Sequence, residues 1–194
     1  MIKIILATSN PNKLKEINAI NTNSNITFEV IEGEFEPVED GENFFENAAI
    51  KAKEAAKITN TYCLADDSGL CIDYLKGAPG IYSARYAKTP KARIERVLDE
   101  LKNIPDDKRS AHFNCTMVLV DKDGNIIHSE EGKIYGSISH EPKGEHGFGY
   151  DPIFYLAEYK QTISELPDEV KNNISHRANA LKPMLKWISE NLKN

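Results

Sequence analysis

Two long strand-like runs that are separated only by a short turn limit the fold of this chain more than any other feature. Residues 111–120 form the first run, residues 126–138 form the second, and Asp123-Gly124-Asn125 between them is typical of a hairpin turn. The alternating positions of the second run are Gly132, Ile134, Gly136 and Ile138. The sequence therefore predicts a long antiparallel hairpin in this part of the chain.

The N-terminal half has a different order, in which strand-like runs alternate with helical patterns. Residues 2–7 (IKIILA) are a β-branched apolar run, and residues 26–31 alternate as a second strand. Asn10 and Pro11 suit the N-cap and the first position of a helix between them. The apolar positions of that helix are Leu14, Ile17 and Ile20.

Three more helices are indicated by their starts or by their apolar spacing. Asn43 and Glu46 resemble a capping box before a helix that ends near Lys57, and Thr89-Pro90 starts another. The apolar stripe of the first of these comprises Phe45, Ala48, Ala49, Ala52, Ala55 and Ala56. The final helix carries Leu181, Leu185, Ile188 and Leu192, and Pro183 inside it should kink it or move its start.

Asp66-Asp67-Ser68-Gly69 is expected to form a turn between two short strands at 62–66 and 70–75. With the βα pattern and the hairpin, these elements predict an α/β fold, a mixed β-sheet flanked by helices. The chain has 194 residues and 40% hydrophobic content, which is enough for one substantial core. We therefore expect a single domain over residues 1–194, with at most two lobes that share the sheet.

Composition and charge argue against several classes of protein. The 24 Lys and Arg against 30 Asp and Glu give a net charge of -6, which disfavours a broad nucleic-acid surface but allows a small anionic ligand. Cys63, Cys71 and Cys115 lack CxxC spacing, so neither a disulfide framework nor a structural zinc site is expected. No apolar run has the length of a signal or membrane segment. We expect an intracellular, cytoplasmic protein that binds neither nucleic acid nor membrane.

The segment Thr8-Ser9-Asn10-Pro11-Asn12-Lys13 follows a strand and opens a helix. Such a position presents backbone N–H groups and a positive dipole end to an anion, and Thr8, Ser9 and Lys13 add side-chain donors. It is not a Walker A loop, because GxxxxGK[ST] is absent. An ordinary capped turn with a solvated lysine gives the same pattern and, for this segment alone, is the better interpretation.

Asp66 and Asp67, with the acidic run around Glu39, are a second candidate site. Magnesium prefers hard oxygen ligands and is usually held by one or two carboxylates plus substrate phosphates. A neighbouring carboxylate could also orient or deprotonate a water molecule. Taken alone, a tight turn and a solvated acidic loop explain these residues better.

The segment Gly147-Phe148-Gly149-Tyr150-Asp151-Pro152 places glycines around aromatic side chains and beside an acid. Glycine lets a backbone approach a planar ligand, and an aromatic face can stack on a base. An anchor that ties a loop to the core has the same composition, and the two interpretations are about equally good.

Ser175-His176-Arg177 lies at the start of the last helix. An arginine can donate a pair of hydrogen bonds to the O6 and N7 acceptors of a 6-oxopurine. In isolation, a capping serine followed by a solvated His-Arg pair is the better interpretation.

Together, however, these segments resemble the inosine triphosphate pyrophosphatase family over nearly the whole chain. Five ordered matches over such a length are far more specific than any one of them. The matches are ILATSNPNKLKEI at 5–17, ENAAIKAKEAAK at 46–57, LADDSGLCIDYLKGAPGIYSARYA at 64–87, GFGYDPIF at 147–154 and SHRANAL at 175–181. The resemblance implies an elongated sheet shared by two lobes, an active site in the cleft and a homodimer.

The resemblance also implies magnesium-dependent hydrolysis of inosine, deoxyinosine or xanthosine triphosphate to the monophosphate and pyrophosphate, with water attacking the α-phosphorus. It implies that Glu39 and Asp67 serve the magnesium, that Asp67 is the general base, and that Lys51 reaches the phosphates or the acidic pair. Asp66 and Ser68 would flank that centre. The residues implied to hold the triphosphate are Thr8, Ser9, Asn10 and Lys13. Those implied to enclose or recognise the base are Phe148, Gly149, Tyr150, Asp151, Lys171, His176 and Arg177.

Two residue assignments stay open in the sequence. Glu39 is selected by its spacing back from Glu46, and its alternatives are Glu36, Asp40 and Glu42. Ser9 stands where many members of the family have glycine, so the serine would be strained if the position requires a positive φ.

Two other functions also remain. A Maf-type pyrophosphatase would prefer pyrimidine or modified nucleotides, and the SHR and GFGYDP segments argue against it. A regulatory module would bind nucleotide without hydrolysing it, and the presence of Asp66, Asp67 and Lys13 argues against that.

Overall fold

The computed structural model describes residues 1–31 and 33–192, in which five α-helices and seven β-strands are formed. The helices are α1 (Pro11–Ile20), α2 (Phe44–Thr59), α3 (Pro90–Glu100), α4 (Asp168–Ile174) and α5 (His176–Asn191). The strands are β1 (Ile2–Leu6), β2 (Ile26–Val30), β3 (Cys63–Ile72), β4 (Ser110–Val120), β5 (Ile126–Ile138), β6 (Phe154–Leu156) and β7 (Gln161–Thr162).

The seven strands form one mixed sheet in the order β2-β1-β3-β4-β5-β6-β7. Strand β1 is parallel to both β2 and β3, whereas β6 is antiparallel to both β5 and β7. β4 and β5 are neighbours joined by residues 121–125, where Gly124 adopts a φ of +79°. The α/β fold with a mixed central sheet flanked by helices, predicted from the sequence, is confirmed.

The chain forms two compact units. The first comprises Met1–Asp67, Cys115–Gly132 and His176–Asn194, and the second comprises Ser68–Asn114 and Lys133–Ser175. Strands β3, β4 and β5 each contribute residues to both units.

In the first unit, both faces of the sheet are covered by helices. Ile4 and Leu6 belong to a core that includes residues of α1 and α5, whereas Ile5 and Ala7 belong to a second core that includes the alanines of α2. This division follows from the period of two along a strand, which points successive side chains to opposite faces. The small side chains of α2 let its backbone approach the sheet closely.

The second unit has its own apolar core, in which the rings of Phe113 and Phe154 lie 4.6 Å apart. Arg109 is buried beside this core, and its guanidinium donates to the carbonyl oxygens of Leu101, Ile138 and Ser139 at 2.6 to 2.7 Å. Carbonyl acceptors therefore satisfy a buried charge and hold the end of β5.

The predicted turn at Asp66-Asp67-Ser68-Gly69 is wrong, because β3 runs without interruption from Cys63 to Ile72. The cause is tertiary. Both aspartates are buried in the strand and paired with cations from distant parts of the chain, so their carboxylates do not need to reach solvent.

Two other details differ from the sequence predictions. Phe45 does not belong to the buried stripe of α2, since it is 42% exposed and lies in the first turn, ahead of the alanines. Pro183 does not move the start of the last helix, because α5 begins at His176 and continues through the proline. Within the described ranges, every helix is too short or too polar to cross a membrane.

Candidate active site

The first cluster of predicted site residues is at the N-terminus of α1. The side chain of Asn10 caps the helix by accepting from the N–H of Asn12 at 3.0 Å, and Thr8 Oγ1 accepts from the N–H of Asn10 at 3.1 Å. The predicted N-cap and first helical residue are therefore confirmed. The N–H groups of Asn10 and Asn12 are already bonded and Pro11 has none, so this helix end offers an anion mainly its positive dipole end.

Ser9 does not have the positive φ that would strain a serine at this position. Among the described residues, the non-glycine positions with positive φ are Asn60, Lys76 and Lys160. Since Ser9 is not one of them, a serine fits this loop as well as a glycine would.

A buried network of charges centres on Asp66. Its Oδ2 lies 2.9 Å from Lys13 Nζ and accepts a hydrogen bond of 3.0 Å from Arg177 Nη2. The other terminal nitrogen of Arg177, Nη1, donates to Glu16. Burial by itself would raise the pKa of Asp66, but the charges of Lys13, Arg177 and Lys51 outweigh it and hold the pKa well below its usual range. Asp66 is therefore a permanent anion between two cations.

A second acidic group lies around Lys51 of α2. Its Nζ donates to Glu39 Oε2 at 2.9 Å and to Asp67 Oδ1 at 3.0 Å. Burial would lower the pKa of Lys51, but the charges of Asp67, Asp66 and Glu39 raise it, so the ammonium persists. Burial raises the pKa of Asp67, although the charges of Lys51 and Lys13 oppose that rise. A cation bound beside Asp67 would therefore stabilise its charged form more than it would that of an exposed aspartate.

The first turn of α2 positions Glu39. The N–H of Gly41 donates to Asn47 Oδ1 at 2.9 Å, and the N–H of Glu42 donates to Glu46 Oε2 at 2.7 Å, which holds the preceding loop against the helix. Lys51 lies four residues after Asn47, on the same face of the helix. The loop therefore brings Glu39 to Lys51.

The structure also separates Glu39 from the other acidic residues that the sequence left open. Glu36, Asp40 and Glu42 are exposed, whereas Glu39 is partly buried and bonded to Lys51. Of these four, Glu39 is the one that shares a partner with Asp67.

The pair Glu39 and Asp67 fits a hard divalent cation. Both supply carboxylate oxygens, and within the described ranges no donor reaches Oδ2 of Asp67, which is buried. No group of three His, Cys, Asp or Glu side chains suited to a metal occurs in residues 1–31 and 33–192. Two carboxylates, completed by substrate oxygens and water, are the usual set for magnesium.

Predicted site residues also gather in the second unit. Lys171 Nζ of α4 lies 2.6 Å from Asp151 Oδ2, and both side chains are buried. The same Asp151 oxygen accepts from the N–H of Phe148 at 2.9 Å, and Lys171 Nζ lies 4.7 Å from the centre of the Phe148 ring. A Cβ on Gly147, whose φ is +76°, would come within 2.2 Å of Asp151 Oδ2. Gly147 is therefore required for this contact.

The remaining predicted residues occupy three settings. Tyr150 is buried, and its hydroxyl donates to the carbonyl of Ser83 at 2.8 Å, so it anchors the loop from inside. Ser68 is partly buried in β3, next to Asp67. His176 and Arg177 lie in the first turn of α5 and belong to the first unit, whereas residues 148–151 and Lys171 belong to the second.

Sequence reasoning missed Glu16 and Asn47. Glu16 lies on the apolar face of α1 with Ile17 and Ile20, and it is buried against Arg177. A charged residue among apolar helical positions is the signal that could have identified it. Asn47 lay inside the recognised ENA segment, but its bond to Gly41 depends on a loop that the sequence does not place.

Comparison with known proteins gives consistent matches over nearly the whole chain. The model of the Ham1 family matches residues 4–187. The dITP/XTP pyrophosphatase of Desulforamulus reducens is 47% identical over an alignment of 196 positions that covers 97% of this chain and 96% of that protein. The dITP/XTP pyrophosphatase of Bacillus subtilis is 45% identical over 194 residues, with 97% and 98% covered.

Solved structures give the same result for the fold. A HAM1 protein from Coxiella burnetii matches with a TM-score of 0.86 and 40% identity, over 98% of this chain and 100% of that one. The nucleoside-triphosphatase, or dITP/XTP pyrophosphatase, from Mycobacterium abscessus matches with a TM-score of 0.75 and 38% identity, over 95% and 99%.

Proposed function

We propose, because this chain belongs to the Ham1 family, that it hydrolyses deaminated purine nucleoside triphosphates to the nucleoside monophosphate and pyrophosphate. The substrates would be deoxyinosine and xanthosine triphosphates, in keeping with the names of relatives at 45 to 47% identity, and inosine triphosphate, which has the same base as deoxyinosine triphosphate. The observation that carries the proposal is the buried Asp67, which shares Lys51 with Glu39 and has one oxygen that no donor reaches among the residues the structure describes. This arrangement suits a carboxylate that binds a cation and accepts a proton.

We assign the triphosphate to the loop from Thr8 to Lys13. The positive dipole end of α1, the hydroxyls of Thr8 and Ser9 and the amide nitrogen of the Asn10 side chain would stabilise phosphate oxygens. Lys13 Nζ lies against Asp66, from which it can extend toward an anion and keep its charge compensated. Ser68, next to Asp67, would flank the phosphates.

We assign magnesium to Glu39 and Asp67. When bound, it would neutralise phosphate charge and make water easier to deprotonate. The carboxylate of Asp67 would accept a proton from a water molecule as the water oxygen bonds to the α-phosphorus. The bond from that phosphorus to the bridging oxygen then breaks, and pyrophosphate leaves. Lys51 would hold both carboxylates in place and offset the charge of the phosphates.

We assign the base to two groups of residues. Phe148 offers a ring face, and the buried pair of Asp151 and Lys171 offers polar atoms beside it, with Gly149 and Tyr150 shaping the loop. Arg177, with His176 next to it, would donate to O6 of a 6-oxopurine. The 6-amino group of adenine would leave such donors unpaired, at a cost of about 1 to 3 kcal/mol for each.

We further propose that the chain acts as one domain, as a homodimer and in the cytoplasm. The family resemblance supports the dimer, and the composition supports the location. Sedimentation of the purified protein and fractionation of cells would test these two proposals.

The deciding experiment is a substrate panel with separate assays for pyrophosphate and orthophosphate. Inosine, xanthosine, guanosine, adenosine and thymidine triphosphates would be supplied with magnesium or with a chelator. We expect magnesium-dependent pyrophosphate release that is confined to the triphosphates of the 6-oxopurines, lost at least a hundredfold in Asp67→Asn and retained in Asp123→Asn. Asp123 is the matched control because it is an exposed aspartate in a turn.

Each rival function predicts a different result in the same panel. Preference for thymidine triphosphate would favour a Maf-type enzyme, and tight binding without turnover would favour a regulatory module. Release of orthophosphate would contradict attack at the α-phosphorus.

A further inference from the structure

The first turn of α5 lies directly on a glycine of β5. A Cβ built on Gly132 would come within 2.3 Å of both Ala180 N and His176 O, and within 2.7 Å of Asn179 C. All three atoms belong to the helix backbone, which cannot move aside as the end of a flexible side chain could. This contact between helix and strand is therefore possible only when residue 132 is a glycine.

The two nearest atoms, Ala180 N and His176 O, belong to residues four positions apart in the helix. An α-helix joins the N–H of residue i to the carbonyl of residue i−4, and His176 is the first residue of α5. The carbonyl of the preceding residue accepts the first such bond, so the carbonyl of His176 and the N–H of Ala180 are the second such pair of this helix. A methyl group on residue 132 would press on that bond and push the first turn away from the strand.

A second contact fixes the direction of α5 along β5. The ring of Trp187 stacks on that of His128, with ring centres 4.4 Å apart and planes within 4° of parallel. From His128 to Gly132 the strand advances about 13 Å, and from Trp187 back to the middle of the first turn the helix covers about the same length. The helix thus runs antiparallel to the strand, and it contacts the strand both at His128 and at Gly132.

The first turn of α5 carries Arg177, whose guanidinium is buried and donates to two carboxylates. Its Nη2 donates to Asp66 Oδ2 at 3.0 Å and its Nη1 donates to Glu16. Hydrogen bonds of this kind weaken within a few tenths of an ångström, so they depend on where the helix backbone lies.

We propose that Gly132 is a positioning residue for base selection, because it sets the position of the helix turn that carries Arg177 and His176. The proposal rests on the proposed function, in which Arg177 recognises the 6-oxo group. Gly132 itself touches no substrate. It acts by allowing α5 to approach the strand without a side chain in between.

The test compares Gly132→Ala with two controls in the full chain. Gly136→Ala adds a methyl to the same face of the same strand, where it would meet Tyr155 O at 2.4 Å and the ring of Phe154 instead of α5. Ile188→Ala removes buried volume from the same helix, eleven residues after Arg177. Both controls should lose stability without displacing the first turn.

We expect Gly132→Ala to lower the ratio of kcat/KM for inosine over adenosine triphosphate at least tenfold, since a shift of about 1 Å can cost up to a hundredfold. The controls should keep the wild-type ratio. Trp187 is the single tryptophan of the chain, so its fluorescence reports the seating of α5 on His128. It should change in Gly132→Ala and stay as in wild type in Gly136→Ala.

The possible failures are distinguishable. Wild-type protein that does not favour inosine triphosphate would overturn the proposed function. A selective wild type with an equally selective Gly132→Ala would overturn the role of Gly132. If Gly132→Ala does not fold, amide hydrogen exchange of the wild-type protein is the deciding measurement. Protection of the Ala180 and Leu181 amides equal to that of Met184 would support close packing of the first turn on Gly132. Rapid exchange of those two amides, as at a frayed helix end, would reject it.

Discussion

Arg177 Nη2 and Asp66 Oδ2 are joined by a hydrogen bond of 3.0 Å, although 111 positions separate the two residues in the sequence. The same carboxylate oxygen lies 2.9 Å from Lys13 Nζ. One oxygen atom thus connects the cation that we assign to the base with the cation that we assign to the phosphates. A change at either cation should therefore affect the other through Asp66.

Arg177→Met should destabilise the protein as well as impair base selection. The change leaves Asp66 and Glu16 buried without the guanidinium that both contact, and breaking a buried pair on one side typically costs about 3 to 5 kcal/mol. Urea unfolding of the metal-free protein would measure the loss. Arg96→Met, which removes an exposed arginine of α3, is the control, and equal midpoints for the two variants would contradict this role of Arg177.

The Asp66 carboxylate should make stability depend on acidic pH. Its pKa in the folded protein is lowered, so its contribution is fully present above the unfolded pKa of about 3.9 and is lost as the pH falls below that value. We expect the difference in free energy of unfolding between wild type and Asp66→Asn to shrink by about 1.4 kcal/mol for each pH unit below 3.9. Urea titrations from pH 6 to pH 3 would measure it.

The free energies of unfolding of wild type and Asp66→Asn are compared because Asp67 also titrates in this pH range. Burial raises its pKa, so its own contribution depends on pH in the opposite direction, and the comparison of wild type with Asp66→Asn reduces that contribution because both proteins contain Asp67. A difference that stays constant down to pH 3 would show that the Asp66 pKa is not lowered.

Lys51→Met should bind magnesium more tightly than wild type does. The ammonium of Lys51 contacts both carboxylates that we assign to the metal, so it competes with a cation for their charge. Calorimetric titration of the protein with magnesium alone would compare the affinities. Lys53→Met changes an exposed lysine of the same helix and should bind as wild type does. Weaker binding in Lys51→Met would mean that the lysine orients the ligands more than it competes with the metal.

The buried pair Asp151 and Lys171 should be coupled in stability. Lys171→Met removes the cation 2.6 Å from Asp151 Oδ2, so the buried charge loses its compensation. The double variant Asp151→Asn/Lys171→Met removes both charges and keeps an acceptor for the N–H of Phe148. We expect a higher urea midpoint for the double variant than for Lys171→Met, and strictly additive effects would refute the coupling.

Local patterns in the sequence were sufficient to predict several elements. The second arm of the hairpin, 126–138, has the predicted bounds, and α1 and α3 begin at the predicted Pro11 and Pro90. These features depend on neighbours in the chain, such as capping side chains and a turn-forming Asp-Gly-Asn segment. Helix α4, which carries Lys171, was not predicted, because its seven residues are too few for a clear period.

By itself, then, the sequence determined the α/β class, the starts of α1, α2 and α3 and the five segments that identify the family, because each is encoded by spacing or by contiguous residues. The tertiary structure alone decided that Asp66 and Asp67 lie inside a strand, that Glu39 shares Lys51 with Asp67, and that Gly132 seats α5. Each of these depends on groups that come together only when the chain folds. Whether a buried charge is tolerated is decided by such partners, and spacing along the chain does not contain them.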